Sequence, residues 1–272
     1  MPSSSSKKKA KLSGLAAVMA DLSVTLDRAG LPALDSISYD ESAAMPVIRG
    51  TYRVLRTNEI DSYEGPPPMA AGKPRVMAAS ARAVAAGDSF QGTARKAAKL
   101  SIAAAPVEKF RDLKNLIKSL PAESVMTSHQ PPIQTTATSN RVKEEKRNVR
   151  VKAFIYAASR ENDNDFHLII GRSPDLTPEM YMTMELSGLP ASNSASFTKL
   201  KAARDAYKAF FADNLPGATY DFYHPPIPVT IEGSLFFDMS HATGQRPGPQ
   251  SLKSRMPTIW EVHPITKIVF EP

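Results

Sequence analysis

Asn148-Val-Arg-Val-Lys-Ala-Phe-Ile-Tyr-Ala-Ala-Ser-Arg160 alternates residue by residue. Val149, Val151, Ala153, Ile155 and Ala157 point one way, and Arg150, Lys152, Phe154, Tyr156 and Ala158 the other. Period-two alternation marks a half-buried strand. The same rhythm returns downstream. Phe166, Leu168 and Ile170 share a face in 166–171, and Met182, Met184 and Leu186 oppose Tyr181, Thr183 and Glu185 in 181–186. In 229–238 the inward set is Val229, Ile231, Gly233, Leu235 and Phe237. In 258–270, Trp260 and Val262 point inward, Glu261 and His263 outward, and Pro264 bends the strand. Between the third and fourth strands, Leu200, Ala203, Tyr207, Phe210 and Phe211 follow helical spacing, which predicts a helix over 197–211 with Ser196 as its N-cap.

Three strands, a helix and two strands is the order of an OB-fold barrel. The expected fold class is α+β: a C-terminal five-stranded OB-like β-barrel with one helix between strands three and four, preceded by a mainly helical N-terminal region. Barrels of this kind bind ligands at the loops joining strands one to two and four to five. Those loops hold Glu161, Asp163, Asp165 and His241, and the adjoining strand ends hold His167, Asp238, Glu261 and His263. Gly233, in mid-strand, suits a tight coil of the wall where a side chain would collide.

Upstream, residues 1–13 read as a disordered basic tail, because four serines and four lysines bury nothing. Residues 14–120 read as mainly helical. The spacing of Leu15, Met19, Leu22 and Leu26 gives one helical face, the alanine-rich stretch 75–105 one or two more helices, and Phe110, Leu113, Ile117 and Leu120 a clearer one between Pro106 and Pro121. Such stripes pack a core or dock a protein partner. Met45–Thr57 breaks the helical pattern with short strands bent at Gly50. Residues 121–147, rich in Ser, Thr, Gln and Pro before a mixed charge run, read as a linker in which His129 is solvated, and residues 148–272 as the barrel domain.

The chain of 272 residues has no cysteine, which excludes disulfides, thiolate metal sites and cysteine nucleophiles. Its net charge of +7 is uneven. Residues 1–150 carry 23 Lys/Arg against 14 Asp/Glu, and residues 151–272 carry 11 against 13. A basic tail of this sort attracts polyanions without specificity, or simply aids solubility. No run approaches the roughly 20 apolar residues of a membrane helix, and no apolar core of a secretory signal follows the basic start. A cytoplasmic protein with no membrane association is the expectation.

Three acid–histidine pairs recur: Asp165/His167, Asp238/His241 and Glu261/His263. Members of the first and third pairs are two apart on a strand, so both side chains share a face. Asp165, His167, Asp238, His241 and His263 form a ligand set suited to a divalent metal ion such as zinc, manganese or iron(II). Such an ion lowers the pKa of bound water toward about 7, with Asp165, His167, Glu261 and His263 as the catalytic groups. A plainer reading stands beside this. Asn162-Asp-Asn-Asp is ordinary turn composition, His167 can be satisfied by Asp165, and Glu261/His263 can be a hydrogen-bonded strand end. A second candidate site is a face for nucleic acid or another polyanion. Arg150, Lys152 and Tyr156, with Phe154, combine cations and aromatic rings as single-strand-binding surfaces do, and Arg160, Lys253 and Arg255 extend the positive surface. EF-hand, Gly-x-Ser-x-Gly, Walker A and His-Glu-x-x-His patterns are absent.

Ala157-Ala-Ser-Arg-Glu-Asn-Asp-Asn-Asp-Phe-His-Leu168 and Trp260-Glu-Val-His-Pro-Ile-Thr-Lys-Ile268 resemble a group of uncharacterised bacterial proteins, in which an acidic turn leads into Asp-x-His and a late Glu-x-His-Pro follows. The resemblance covers residues 148–272 and brings no activity with it. The barrel is more loosely similar to micrococcal-nuclease-type barrels. That likeness implies a calcium-ligand position for Asp163 and Asp165 and phosphate clamps at Arg160 and Arg204, although the family's Asp-Gly-Asp-Thr turn is absent. Three readings follow: a binder of nucleic acid or other phosphate-bearing ligands, a metal-dependent phosphodiesterase or nuclease, and a scaffold docking a partner through its N-terminal helices.

Overall fold

A computed structural model describes residues 38–47, 50–61 and 87–271. It is a mixed α/β structure dominated by strands: β1 (Ser38–Val47), β2 (Gly50–Arg56), β3 (Val107–Phe110), β4 (Asn148–Arg160), β5 (Phe166–Gly171), β6 (Tyr181–Leu186), β7 (Asp221–Phe237) and β8 (Trp260–Phe270). Among the described residues four α-helices accompany them, α1 (Lys96–Lys99), α2 (Leu113–Lys118), α3 (Glu123–Thr127) and α4 (Phe197–Phe211). The strands form one sheet in the order β1-β2-β7-β8-β6-β5-β4-β3, and β7 also pairs with β4. Pairing therefore runs from β4 through β5, β6, β8 and β7 and returns to β4. The β6–β8 and β3–β4 contacts are parallel and the others antiparallel.

One face of these strands carries the main core. Val149, Val151, Ile155, Phe166, Leu168, Ile170, Met182, Met184, Leu235 and Val262 bury there with Ala203, Tyr207 and Phe211 of α4. Each was expected inward from the alternation. Ala157 is the exception. The β4 register shifts between Ile155 and Ala157, so Tyr156 is an extra residue in the strand. One inserted residue flips all that follows to the other face. Ala158, not Ala157, joins the main core, while Tyr156 and Ala157 enter a second, smaller one with Ile169, Tyr181, Phe222, Leu252 and Met256.

The expected helical region 14–120 is not what the described part of it shows. Ser38–Val47 and Gly50–Arg56 are two antiparallel strands, and β2 extends the sheet by pairing with β7. Val107–Phe110 pairs with β4, so the helix expected from Pro106 starts only at Leu113, where Asp112 caps it by accepting from the Lys114 amide. Within 87–105 the single helical turn α1 is what forms, because the segment's polar groups bond to other parts of the chain. The Arg95 guanidinium clasps both Glu145 oxygens and donates to the Phe237 carbonyl. The expected helix around Leu15–Leu26 and the tail lie outside the described residues.

The stretch 121–147 packs against the sheet. Met126 and Ile133 are buried in the main core, Glu145 is fully buried, and Arg141 donates to the carbonyls of Leu235, Ala98, Ser101 and His263. His129, expected in solvent, meets Glu144 at 3.2 Å. Among the described residues no helix is long and apolar enough to cross a membrane.

Gly233 sits where β7 and β8 slip register. A Cβ there would lie 2.4 Å from the Pro264 carbonyl oxygen and 3.0 Å from the Ile265 Cα, both backbone atoms that cannot swing aside. Gly233→Ala is expected to lower stability by about 1–3 kcal/mol, read as a reduced urea midpoint with an unchanged slope.

Candidate metal centre

The alternation that sends Phe166 and Leu168 into the core turns His167 and Ile169 to the opposite face. In β6 it does the same for Thr183 and Glu185, and in β8 for Glu261 and His263. Register completes the arrangement: His167 stands opposite Glu185, and Met184 opposite Val262. His167, Glu185, Glu261 and His263 thus gather on one face of three adjacent strands. Phe236, paired with Glu261 on β7, floors it, its ring 5.4 Å from that of His263.

Loops bring the remaining groups. The turn after β4 closes through Glu161 N–H to the Asp165 carbonyl (2.9 Å) and Asn164 N–H to the Glu161 carbonyl (3.0 Å). Asn164 is left-handed (φ 77°) and its amide donates to Gly87 and Ser89 carbonyls, fixing the turn under residues 87–91. Glu161, Asp163 and Asp165 therefore return over the sheet. Asp238 accepts from the Ser240 amide and starts the 3₁₀ turn that carries His241. Asp61, beyond β2, accepts from the Gly248 amide at 2.7 Å and the Tyr220 hydroxyl at 3.2 Å.

The result is three neighbouring groups able to hold a metal ion: Asp61/Glu161/His167, Asp165/Glu185/His263 and Asp238/His241/Glu261. Within each, the ligand atoms lie within 4.8 Å of one another. His263 Nδ1 is 2.8 Å from Glu185 Oε2 and 3.6 Å from Glu261 Oε2, and its Nε2 is 3.3 Å from Asp165 Oδ2. His167 Nδ1 meets Glu161 Oε1 and lies 3.8 Å from Asp61 Oδ2. Lys99 Nζ reaches Asp163 at 3.1 Å and Asp165 at 3.9 Å.

Much of this proximity is not hydrogen bonding. Asp165 Oδ2, Glu185 Oε2, both Glu261 carboxylate oxygens, both His263 ring nitrogens and His167 Nε2 are buried without a hydrogen-bond partner. Buried polar atoms are nearly always bonded, so seven such atoms among these groups make the face a candidate ligand site. The electrostatics agree. Burial, reinforced by Asp163, pushes Asp165 up to about 7, and burial with Glu185 nearby pushes Glu261 up to about 8. Burial raises Glu161 well above the carboxylate range despite His167. Glu185 goes the other way: burial is outweighed by His263 and Lys99, which hold it well below its ordinary value. Burial alone would lower His263, but the carboxylates around it, Glu185 foremost, keep it well above.

The expected ligands and catalytic groups fall into three groups: Asp165 with His263, His167 apart from them with Glu161, and Asp238 with His241 and Glu261. The pairings differ from those read in the sequence. Asp165 faces His263 and Lys99, and its Oδ1 accepts from the Gly188 amide, so His167 is oriented by Glu161 instead. Asp61, Glu185 and Lys99 were missed, and Glu161 had no assigned role. Glu185 left a signal: it is the one charge in a strand buried throughout, on the same side of the alternation as His167. Asp61 left none.

The polyanion face does not form. Arg150 is paired with Glu232, directly opposite it in register, at 2.5 Å, and Lys152 with Glu271 at 3.2 Å. The bulge turns Tyr156 inward, where its hydroxyl donates to the Arg172 carbonyl. Arg160 is bonded to Asn164, and Arg255 to Glu179 and the Ser251 carbonyl. Lys253 shares a 3₁₀ turn with Arg255. Arg204, expected as a phosphate clamp, is buried on Asp88 and the Leu186 and Ser187 carbonyls. Comparison with family models, with curated proteins and with solved structures gave no match.

Ion-free protein should respond with opposite signs to two substitutions. Lys99→Met strips the ammonium from Asp163 and Asp165 and is expected to cost roughly 2–4 kcal/mol. Glu261→Gln removes a carboxylate facing another one and is expected to raise the melting temperature in chelator. Equal signs would contradict this electrostatic description.

Proposed function

We propose that the chain is a metal-dependent hydrolase of phosphate esters, with a divalent ion held by Asp165, Glu185 and His263. The observation that carries this is the set of buried, mutually facing donor atoms that make no hydrogen bonds. Oxygen and imidazole donors without thiolate suit zinc, manganese or iron(II). We further propose that the ring β4–β5–β6–β8–β7 is an OB-like barrel. The return of β7 to β4 and the helix between β6 and β7 support it. The acid–histidine face then lies on the second, third and fifth strands and beneath the two connecting loops, close to where such barrels bind.

An ion held by Asp165, Glu185 and His263 would supply a water of lowered pKa, toward about 7. Hydrolysis would then form a bond from the water oxygen to phosphorus as the phosphorus–oxygen ester bond breaks, the proton lost by water passing to the departing oxygen. Glu261 lies beside His263, its Oε2 3.6 Å from the ring Nδ1, and adds a further carboxylate to the site. Glu161 holds the His167 ring by its Nδ1 and leaves Nε2 directed elsewhere, as carboxylate partners of ligating histidines do. The side chains of Glu161, Asp163 and Asp238 retain 16%, 17% and 16% exposure, which makes them the solvent edge of the site. With so many carboxylates, a phosphate ester is repelled until cations are bound. That places substrate binding after metal binding.

Purified protein should contain bound divalent metal and hydrolyse bis-p-nitrophenyl phosphate or single-stranded DNA in the presence of manganese or zinc. Chelation should abolish the activity, and His263→Ala should reduce it at least about 100-fold. Absence of bound metal, together with no stimulation by added metal, would overturn the proposal.

A further inference from the structure

We infer that this face takes more than one cation, with His263 and Glu261 at the junction between neighbouring ions. The inference rests on the metal-binding part of the preceding proposal and goes further in stoichiometry and in the residues assigned.

Ligand number is the first argument. The three groups share no member and contribute nine residues. A zinc ion takes four ligands, and even calcium takes at most about eight. Nine side chains converging around one ion would leave donors buried and idle.

Connectivity is the second. Glu261 belongs to the Asp238/His241 group, yet its Oε2 lies 3.6 Å from His263 Nδ1, in the Asp165/Glu185 group. Both Glu261 oxygens are without a hydrogen-bond partner and the residue is 1% exposed, so one carboxylate can face an ion on each side. On the other flank Glu185 stands directly opposite His167 in the β5–β6 register. Directly opposed residues have Cβ atoms about 4.5–5.5 Å apart, compatible with the roughly 3.5–4 Å ion separation of two-metal hydrolytic sites. On this flank His167 Nε2 is a further buried nitrogen without a hydrogen-bond partner.

Charge is the third. The three groups and Asp163 supply seven carboxylates, and Lys99 is the ammonium among them. With the carboxylates ionised and the imidazoles neutral, the forms in which they bind metal, six negative charges are uncompensated, and a single divalent ion offsets two. Unpaired charge in a dry site costs several kcal/mol per group, so the site continues to favour cations after the first is bound.

The test is stoichiometry. Full-length protein is loaded with manganese, freed of excess by gel filtration and measured by elemental analysis, with spin resonance of the same sample. Two or more ions per chain and a spin-coupled manganese signal are expected. His241→Ala should lose one equivalent while retaining the remainder, and Asp61→Asn supplies the same comparison in the opposite flank should His241→Ala fail to fold. One ion per chain, with an isolated-ion spectrum, overturns the inference while leaving a single-metal hydrolase intact. No ion at all removes both.

Discussion

Carboxylates and imidazoles enclosed on the outer face of β5, β6 and β8 are the constraint around which the remainder of this molecule is arranged. A sheet face carrying His167, Glu185, Glu261 and His263 would ordinarily be left in water. Here it is covered by residues 87–99, by the turn 161–165 and by the long connection between β7 and β8. Covering charged groups is costly unless they are paired or coordinated, and the covering layer is correspondingly fastened by buried guanidinium groups. Arg95 ties α1 to Glu145 and to the end of β7. Arg141 holds the Ala98, Ser101, Leu235 and His263 carbonyls together. Arg204, from α4, reaches to Asp88 and the end of β6. All three act on backbone, on an acid outside the cluster or, for Arg204, also on Asn164, so they fasten the covering layer without neutralising the cluster beneath it.

The strands and helix of residues 148–270 were legible because each is a local pattern. Alternation fixes which side chains face the core, and the helix 197–211 falls where its apolar spacing put it. The acid–histidine face was legible for the same reason: Glu261 and His263 had to point away from Trp260 and Val262. The bulge at Tyr156 was not, since nothing in Ile155-Tyr-Ala distinguishes an inserted residue from a regular one until the partner strand is known. That single residue dismantles the expected aromatic–basic surface. Pairings remote in sequence were equally hidden. Arg150 reads as a free cation until Glu232 is placed across from it. Asp61 reads as a loop acid until the ends of β2 and β5 are brought together, and Ala98 reads as helix until Arg141 claims its carbonyl.

Stability by itself does not explain such a cluster. Buried ion pairs replaced by apolar residues of similar volume are often neutral or favourable, and the adjoining half of the same face shows the alternative. Ile169, Tyr181, Phe222, Leu252 and Met256 fill it with a small conventional core. The two halves use the same strands: Ile169 follows His167 by two residues and Tyr181 precedes Glu185 by four. One face has therefore been divided into an apolar part that packs and an ionic part that does not, and the division falls along the β5–β6 pairing, between Ile169/Thr183 and His167/Glu185.

That division also orders the electrostatics. Groups facing Lys99 or His263 from the sheet, Glu185 above all, hold their negative charge, whereas those crowded by other acids, Asp165 and Glu261, are driven toward the protonated form. The two behaviours occur within one shell of side chains, around a histidine with acids on both of its ring nitrogens. An imidazole can satisfy such a setting as a cation or as a ligand, but a cation needs its N–H bonds aligned with the oxygens, and at His263 they are not. The misalignment at His263 leaves its ring nitrogens and the facing carboxylate oxygens without bonds to each other, the condition under which they can serve as ligands.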